Sequence, residues 1–176
     1  MLKRCLKLTL LLTLLGLLPS AAQAQERRFK ATLISYEEVP ALSNTATGTF
    51  NMLIDFSDTS FSFQLSFAGV SGTGATQSHI HIGQKGVNGG IMVFFCTNLG
   101  NSNPPGAPAC PANGTVGGTI TAANVGTAAA AQGIAAGEFA EVLKAIRAGT
   151  VYVNVHSSLF PGGEIRGQLV PDVKFP

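Results

Sequence analysis

All three histidines of this 176-residue chain lie in two short segments in which apolar and polar residues alternate. His79 and His81 are two positions apart in residues 78–82, so a β-strand would project both imidazoles from one face. His156 ends the second segment, residues 151–156, whose valines would face the core. If the two strands are neighbours, we expect the three imidazoles to converge on one exposed patch outside the core.

A histidine pair on one strand with a third histidine from another strand is suited to binding a transition metal. Imidazole nitrogen is a ligand for both copper and zinc, and copper is the ion favoured here. The competing interpretation is that His79, His81 and His156 are surface histidines without a ligand role. The sequence therefore offers a three-histidine metal site as a hypothesis.

Other chemistry has weaker support in the sequence. Glu37, Glu38, Glu164 and Arg166 could form a charged group at one end of the fold, where a structural Arg–Glu pair is the default interpretation. Residues 83–90 are glycine-rich, but they lack the spacing and the following helix of a phosphate-binding loop, so we interpret them as a turn. No Gly-x-Ser-x-Gly motif of a hydrolase is present.

The N-terminal segment has the three parts of a secretory signal. Basic residues precede an apolar run over residues 8–18, and Ala22 and Ala24 form a small-residue cleavage site. Because the apolar run is about half of the roughly 20 residues that a membrane-spanning helix needs, we expect no permanent membrane anchor. The prediction is a signal peptide over residues 1–24, cleaved near Ala24, and a secreted or periplasmic single domain over residues 25–176.

Cleavage would leave a nearly neutral protein. Three of the 11 Lys and Arg residues lie in the signal and none of the nine Asp and Glu residues does, which leaves eight basic against nine acidic side chains. Such a balance gives no electrostatic basis for binding nucleic acid. A metal ion and an extracellular protein are the partners we expect.

Two cysteines, Cys96 and Cys110, remain after cleavage. An even number of cysteines in an exported chain favours a disulfide. The alternative, a pair of metal ligands, lacks the Cys-x-x-Cys spacing of a zinc site. The prediction is a Cys96–Cys110 bridge that closes a polar, proline-rich loop.

Short alternating segments separated by Gly, Asn, Pro and Ser fill most of the mature chain and predict an all-β, antiparallel fold. The clearest is residues 60–67, in which every second residue is Phe or Leu. Residues 138–147 instead have the apolar spacing of one short amphipathic helix. The predicted strands are residues 29–34, 48–56, 60–67, 79–82, 90–95, 117–121, 150–156 and 164–170.

Five ordered motifs give the chain a resemblance to the CHRD domain, which is named after chordin and also occurs as a stand-alone exported bacterial protein. The resemblance implies an immunoglobulin-like Greek-key β-sandwich, superoxide-dismutase-like, and animal members act as extracellular binding modules. His79, His81, Asn154 and His156 stand at motif positions of that family. The motifs are residues 37–40, 78–83, 86–90, 148–156 and 161–169.

The same elements have a fainter similarity to copper/zinc superoxide dismutase, in which a His-x-His and a later His bind copper and an Arg follows. Arg166 could be placed similarly, although the chain has no further histidine for a bridging ligand or a zinc cluster. We therefore expect an exported binding protein that holds copper through its three histidines, with Asn154, Glu164 and Arg166 in supporting positions. The alternatives are a metal-free extracellular adhesion module and a copper-only, superoxide-dismutase-like redox enzyme.

Overall fold

The computed structural model describes residues 27–172, and both the predicted signal peptide and residues 173–176 lie outside the described residues. Within them the chain forms nine β-strands and one α-helix, α1 (Phe139–Arg147). The all-β class with one short helix is confirmed, and the Greek-key connectivity stays a prediction. The strands are β1 (Arg28–Ile34), β2 (Thr47–Ile54), β3 (Ser60–Ala68), β4 (Ala75–Ile82), β5 (Ile91–Thr97), β6 (Gly114–Thr121), β7 (Val151–Ser157), β8 (Ile165–Gln168) and β9 (Val170–Pro171).

All of these strands join one antiparallel sheet in the order β5-β4-β7-β8-β1-β2-β3-β6, with β9 paired to β1. The sheet curves so that its end strands β5 and β6 approach each other, which nearly closes it around the core. β7 therefore lies in the sheet interior, between β4 and β8.

The apolar residues of the alternating strands meet in one core, as the period-2 pattern predicts. In β3 the side chains of Phe61, Phe63, Leu65 and Phe67 are buried, and the intervening residues are exposed or half-buried. The rings of Phe63 and Phe95 lie 4.3 Å apart between centroids and join strands from different parts of the sheet. Burying a phenylalanine contributes roughly 1.5–3 kcal/mol, so these rings are a main source of the fold's stability.

α1 covers one end of this core with its apolar side. Phe139 packs on Phe61 with centroids 5.8 Å apart, and Val142, Leu143 and Ile146 are buried as the helical spacing predicts. The alanine-rich segment before α1 forms two short 3-10 turns and connecting loop. Within residues 27–172, no helix has both the length and the hydropathy that crossing a membrane requires.

The predicted disulfide is confirmed. Cys96 of β5 is bonded to Cys110, and the two Cα atoms are 5.0 Å apart. Asn98 stabilises the same loop from within, because its side chain donates to the carbonyls of Ala75 and Cys110 and accepts from the Cys110 amide. The proline-rich segment that follows β5 is therefore tied back to the sheet at both ends.

One expectation from the alternating pattern is wrong. The polar face of β7 was expected to be exposed, yet all seven residues of the strand are buried. The reason is that residues 83–90 and 158–163 fold over that face, where the carbonyls of Gly89 and Pro161 contact His81 and His156. Alternation identifies the two faces of a strand, but it does not say what covers the polar one.

Candidate metal centre

Strand pairing brings the three histidines together. β4 and β7 are hydrogen-bonded neighbours in which His79 pairs with Asn154, His81 with Tyr152 and Gln77 with His156. Paired residues project from the same face of a sheet, so the predicted convergence of the imidazoles follows directly from this register. The condition under which the three imidazoles were expected to converge, that these two strands are neighbours, is met.

The imidazoles form a compact cluster. His79, His81 and His156 each contribute one ring nitrogen to a group of three nitrogens that all lie within 4.8 Å of one another. The ring centroids are 4.7 Å apart for His79 and His81 and 4.6 Å apart for His79 and His156. The side chains are far more enclosed than the sequence predicted, with exposed fractions of 1%, 8% and 6% in chain order.

Backbone carbonyls fix the orientation of two of the rings. Nδ1 of His81 donates to the Gly89 carbonyl at 2.8 Å, and Nδ1 of His156 donates to the Pro161 carbonyl at 2.9 Å. Because a carbonyl oxygen only accepts, both Nδ1 atoms carry the proton in the neutral ring and both Nε2 atoms keep a lone pair. Histidine ligands of metals are held in this way, with the second nitrogen donating to a carbonyl or carboxylate.

His79 lies between two acceptors. Its Nδ1 is 3.0 Å from Asn154 Oδ1 and 2.7 Å from His81 Nε2. Since the amide oxygen accepts and His81 Nε2 carries a lone pair, the proton on His79 lies on Nδ1. Asn154 thus orients the third imidazole as the two carbonyls orient the others.

Two nitrogens in the cluster lack partners. Nε2 of His79 and Nε2 of His156 are buried and accept no hydrogen bond from any group of residues 27–172. A buried polar atom left unsatisfied costs about 1–3 kcal/mol. A buried polar atom without a partner in a native fold calls for an explanation, and binding of an ion is one such explanation.

Burial keeps the cluster neutral. Desolvation is the largest cause that lowers the pKa of His79 well below its usual range, and the charges of His156 and His81 lower it further. Burial likewise lowers the pKa of His81 to about 4 and lowers that of His156. Imidazole must be neutral to bind a metal, so at neutral pH all three rings are in the ligand form.

Tyr152 and Arg166 extend the cluster on the β8 side. The Tyr152 ring stacks on His81 with centroids 4.7 Å apart, and the Arg166 guanidinium carbon lies 3.4 Å from the Tyr152 ring centroid. β7 lies between β4 and β8, so the tyrosine ring separates the arginine from the imidazole. Desolvation raises the pKa of the Tyr152 hydroxyl, which keeps the phenol neutral.

Arg166 also secures the loop that covers the cluster. Its guanidinium donates to the carbonyls of Gln84 and Val87 and to Asn88 Oδ1, at 3.2, 2.8 and 3.0 Å. The same loop needs glycine at position 89, where a Cβ would lie 1.6 Å from the Ile82 carbonyl oxygen. This close approach sets the position of the carbonyl that orients His81.

The charged group predicted from the sequence is divided in the structure. Glu164 is fully buried and accepts from Asn44 Nδ2 at 3.0 Å and from the Ser71 amide at 3.1 Å, whereas Arg166 acts electrostatically on Glu38. Glu37 forms a surface ion pair with Lys85. Glu164 thus binds two loops to the start of β8, whereas Arg166 donates hydrogen bonds to the loop over the histidines.

The sequence interpretation missed the residues that surround the histidines. Gly89 and Pro161 act through backbone carbonyls, which leave no signature in a residue pattern. Tyr152 could have been identified, because it lies two residues before Asn154 on the same face of a strand. The turn prediction for residues 83–90 is correct, but its role as a cover of the site was not foreseen.

Comparison with known proteins bears on the whole domain. The family model described as "CHRD domain" matches residues 29–169, which include β1 from its second residue, β2 to β8 and all three histidines, whereas β9 follows the match. A search of curated proteins finds no match. Since the match covers well over half of the chain, the protein belongs to the CHRD domain family.

Proposed function

We propose that this protein is an exported CHRD-domain protein that binds one copper ion through the Nε2 atoms of His79, His81 and His156. The observation that carries the proposal is the orientation of the rings by Gly89, Pro161 and Asn154, together with the unpartnered Nε2 atoms of His79 and His156. A metal ion would satisfy nitrogens that nothing else in the described residues satisfies.

Copper is preferred to zinc because a nitrogen site of a given kind binds Cu²⁺ more tightly than Zn²⁺. The Cys96–Cys110 bridge supports an oxidising compartment, and therefore export. The predicted signal peptide supports the same location.

Two alternatives compete with this proposal. A metal-free adhesion module with an extracellular protein partner would give the buried histidine cluster no function. A superoxide-dismutase-like enzyme would place Arg166 beside the ion, and the Tyr152 ring lies between Arg166 and His81. A copper-binding protein is therefore the function that the geometry supports best.

Thermal unfolding with chelator and with one equivalent of Cu(II) tests the proposal. A ligand present at about 100 times its dissociation constant adds about 2.7 kcal/mol to the free energy of unfolding. Wild type should gain such a shift, and His156→Ala should lose most of it.

Val153→Ala is the matched control, because Val153 is fully buried on the opposite face of β7. This variant should be destabilised by the lost methyl groups, by about 1–3 kcal/mol, yet retain the full copper shift. Equal copper shifts in wild type and His156→Ala would reject the site and leave the adhesion module.

A further inference from the structure

The histidine cluster offers a metal ion no negative charge. In residues 27–172 the group of possible ligands consists of the three imidazoles, and neither a carboxylate nor a thiolate belongs to it. Burial lowers the pKa of all three histidines, so the rings are neutral at neutral pH. Because neutral nitrogens donate electron pairs without cancelling charge, an ion held there would keep its full net charge.

The groups that orient the rings are neutral as well. The acceptors are the carbonyls of Gly89 and Pro161 and the amide oxygen of Asn154. Many histidine ligands donate instead to a carboxylate, which makes the imidazole a stronger donor and adds negative charge beside the metal. Within the described part of the chain, no carboxylate takes that place at any of the three rings.

A buried arginine adds positive charge beside the cluster. Arg166 is 1% exposed, and its charge lowers the pKa of His81 from the far side of the Tyr152 ring. Glu38 offsets that charge only in part, because burial raises the pKa of Glu38 to about 7. The charge of Arg166 therefore disfavours each additional positive charge on the metal.

The enclosure of the rings acts in the same direction. All three histidine side chains are buried, so an ion bound to their Nε2 atoms leaves bulk water. The cost of this transfer grows with the square of the charge, and it is about four times larger for a doubly charged ion than for a singly charged ion of the same size. Three nitrogens also fall short of the tetragonal set of nitrogen and oxygen ligands that is typical of Cu(II).

We propose that the three-histidine site selects copper in its reduced, singly charged state, Cu(I), over Cu(II). This inference rests on the proposed copper-binding function and names the form of the ion that the site takes. Neutral ligands, neutral ring partners, the charge of Arg166 and the exclusion of water all favour the lower charge. A protein with this preference holds reduced copper in an oxidising compartment.

Two competition titrations at the same neutral pH measure the preference. Cu(I) is titrated against bicinchoninate without oxygen, with ascorbate as the reductant, and Cu(II) is titrated against nitrilotriacetate in air. Wild type should bind Cu(I) about 100-fold more tightly than Cu(II), which for a one-electron couple places the bound copper about 120 mV above the aqueous couple. The quantity compared among variants is this ratio of the two dissociation constants.

Asn154→Asp tests the neutral ring partners. It replaces the amide that accepts from His79 Nδ1 with a carboxylate of nearly the same shape. The variant should tighten Cu(II) more than Cu(I) and so lower the ratio about tenfold. Asn51→Asp is the matched control, because Asn51 is exposed on β2, which β8 and β1 separate from β7, and its ratio should stay close to that of wild type.

Arg166 gives a second pair of variants in case Asn154→Asp does not fold. Arg166→Gln removes the charge and should lower the ratio several-fold, whereas Arg166→Lys keeps the charge and should leave the ratio unchanged. Both variants loosen the loop that Arg166 secures, but a looser loop weakens the binding of both ions alike. The ratio therefore reports the charge and not the loss of structure.

The results separate this inference from the proposed function. Wild type that binds Cu(II) as tightly as Cu(I), or more tightly, would overturn the preference and leave the copper site standing. An unchanged ratio in folded Asn154→Asp and in Arg166→Gln would overturn it too. If wild type binds neither ion, the copper-binding function is rejected, and the preference for Cu(I) with it.

Discussion

The ring of Tyr152 lies flat on the ring of His81, with centroids 4.7 Å apart and planes within 3° of parallel. Arg166 lies over the same tyrosine ring, so β4, β7 and β8 each contribute one member of a stack. The stack connects the histidine cluster to the residue that secures its covering loop. We therefore expect changes at Tyr152 and Arg166 to alter copper affinity without removing a ligand.

Tyr152→Leu should weaken copper binding by about tenfold and destabilise the fold, since it removes both stacking contacts, each worth roughly 0.5–1.5 kcal/mol. Tyr152→Phe is the matched control, because it keeps the ring and loses only a 3.3 Å hydrogen bond from the Gly89 amide. Competition titration against a copper chelator measures both. Equal affinities for the two variants would show that the stack has no part in the site.

Arg166→Lys should loosen residues 83–90, because an ammonium cannot reproduce the fork of donors to Gln84, Val87 and Asn88. Hydrogen exchange of the loop amides should rise at least tenfold, and copper affinity should fall with it. Lys85→Ala is the control in the same loop, since Lys85 forms only a surface pair with Glu37. Unchanged exchange in Arg166→Lys would contradict this role.

Acid should destabilise the copper-free protein through the histidines. Their pKa values are lowered in the fold, so below about pH 6.5 the unfolded chain binds protons that the folded chain does not. The stability that a neutral histidine provides is therefore present above pH 6.5 and is lost as the pH falls toward about 4, at up to about 1.4 kcal/mol per pH unit.

The contribution of Glu38 to stability changes with pH in the opposite direction to that of the histidines. Its pKa is raised from 4.5 to about 7, so its contribution is present below pH 4.5 and is lost as the pH rises through about 7. Urea unfolding in chelator between pH 7 and pH 4 should show a shallower acid loss in His81→Phe and a steeper one in Glu38→Gln than in wild type. Parallel pH profiles for all three proteins would refute this assignment.

The disulfide should stabilise the domain chiefly by restricting the unfolded chain. The two bridged cysteines are 14 positions apart in the sequence. A disulfide that closes a loop of about 15 residues stabilises the folded state by roughly 3 kcal/mol. The double variant Cys96→Ala, Cys110→Ala should lose about that amount in urea unfolding. Ser78→Ala is the control, because it removes a hydroxyl that lies 3.2 Å from Cys96 Sγ and keeps the bridge. It should lower the free energy of unfolding by about 1 kcal/mol. A double variant that is no less stable than Ser78→Ala would contradict the prediction.

The sequence predicts the strands well because alternation carries the information locally. Phe61, Phe63, Leu65 and Phe67 repeat with the period of a strand, and α1 follows from the helical spacing of Phe139, Val142, Leu143 and Ile146. The disulfide follows from the two cysteines that remain after the predicted signal is removed and from the expected export of the chain. None of these predictions needs knowledge of which strands become neighbours.

The environment of the site could be predicted only in part. The common face of His79 and His81 is a local property, whereas their contact with His156 depends on the pairing of β4 with β7. The burial of the cluster depends on two loops whose contacts are backbone carbonyls, and any residue type supplies a carbonyl. The sequence predicts an Arg–Glu pair without saying which glutamate takes part, and in the fold the side chains of Glu164 and Arg166 bind different loops.

The most direct test of the copper site is to count the nitrogens bound to the metal. Protein loaded with one equivalent of Cu(II) at pH 7.5 should give pulsed electron paramagnetic resonance spectra with three coupled imidazoles, and His79→Ala, His81→Ala and His156→Ala should each give two. The chain has only these three histidines, so no other imidazole can substitute. Binding of less than one tight copper per protein, or the same imidazole count in wild type and all three variants, would contradict the three-histidine site.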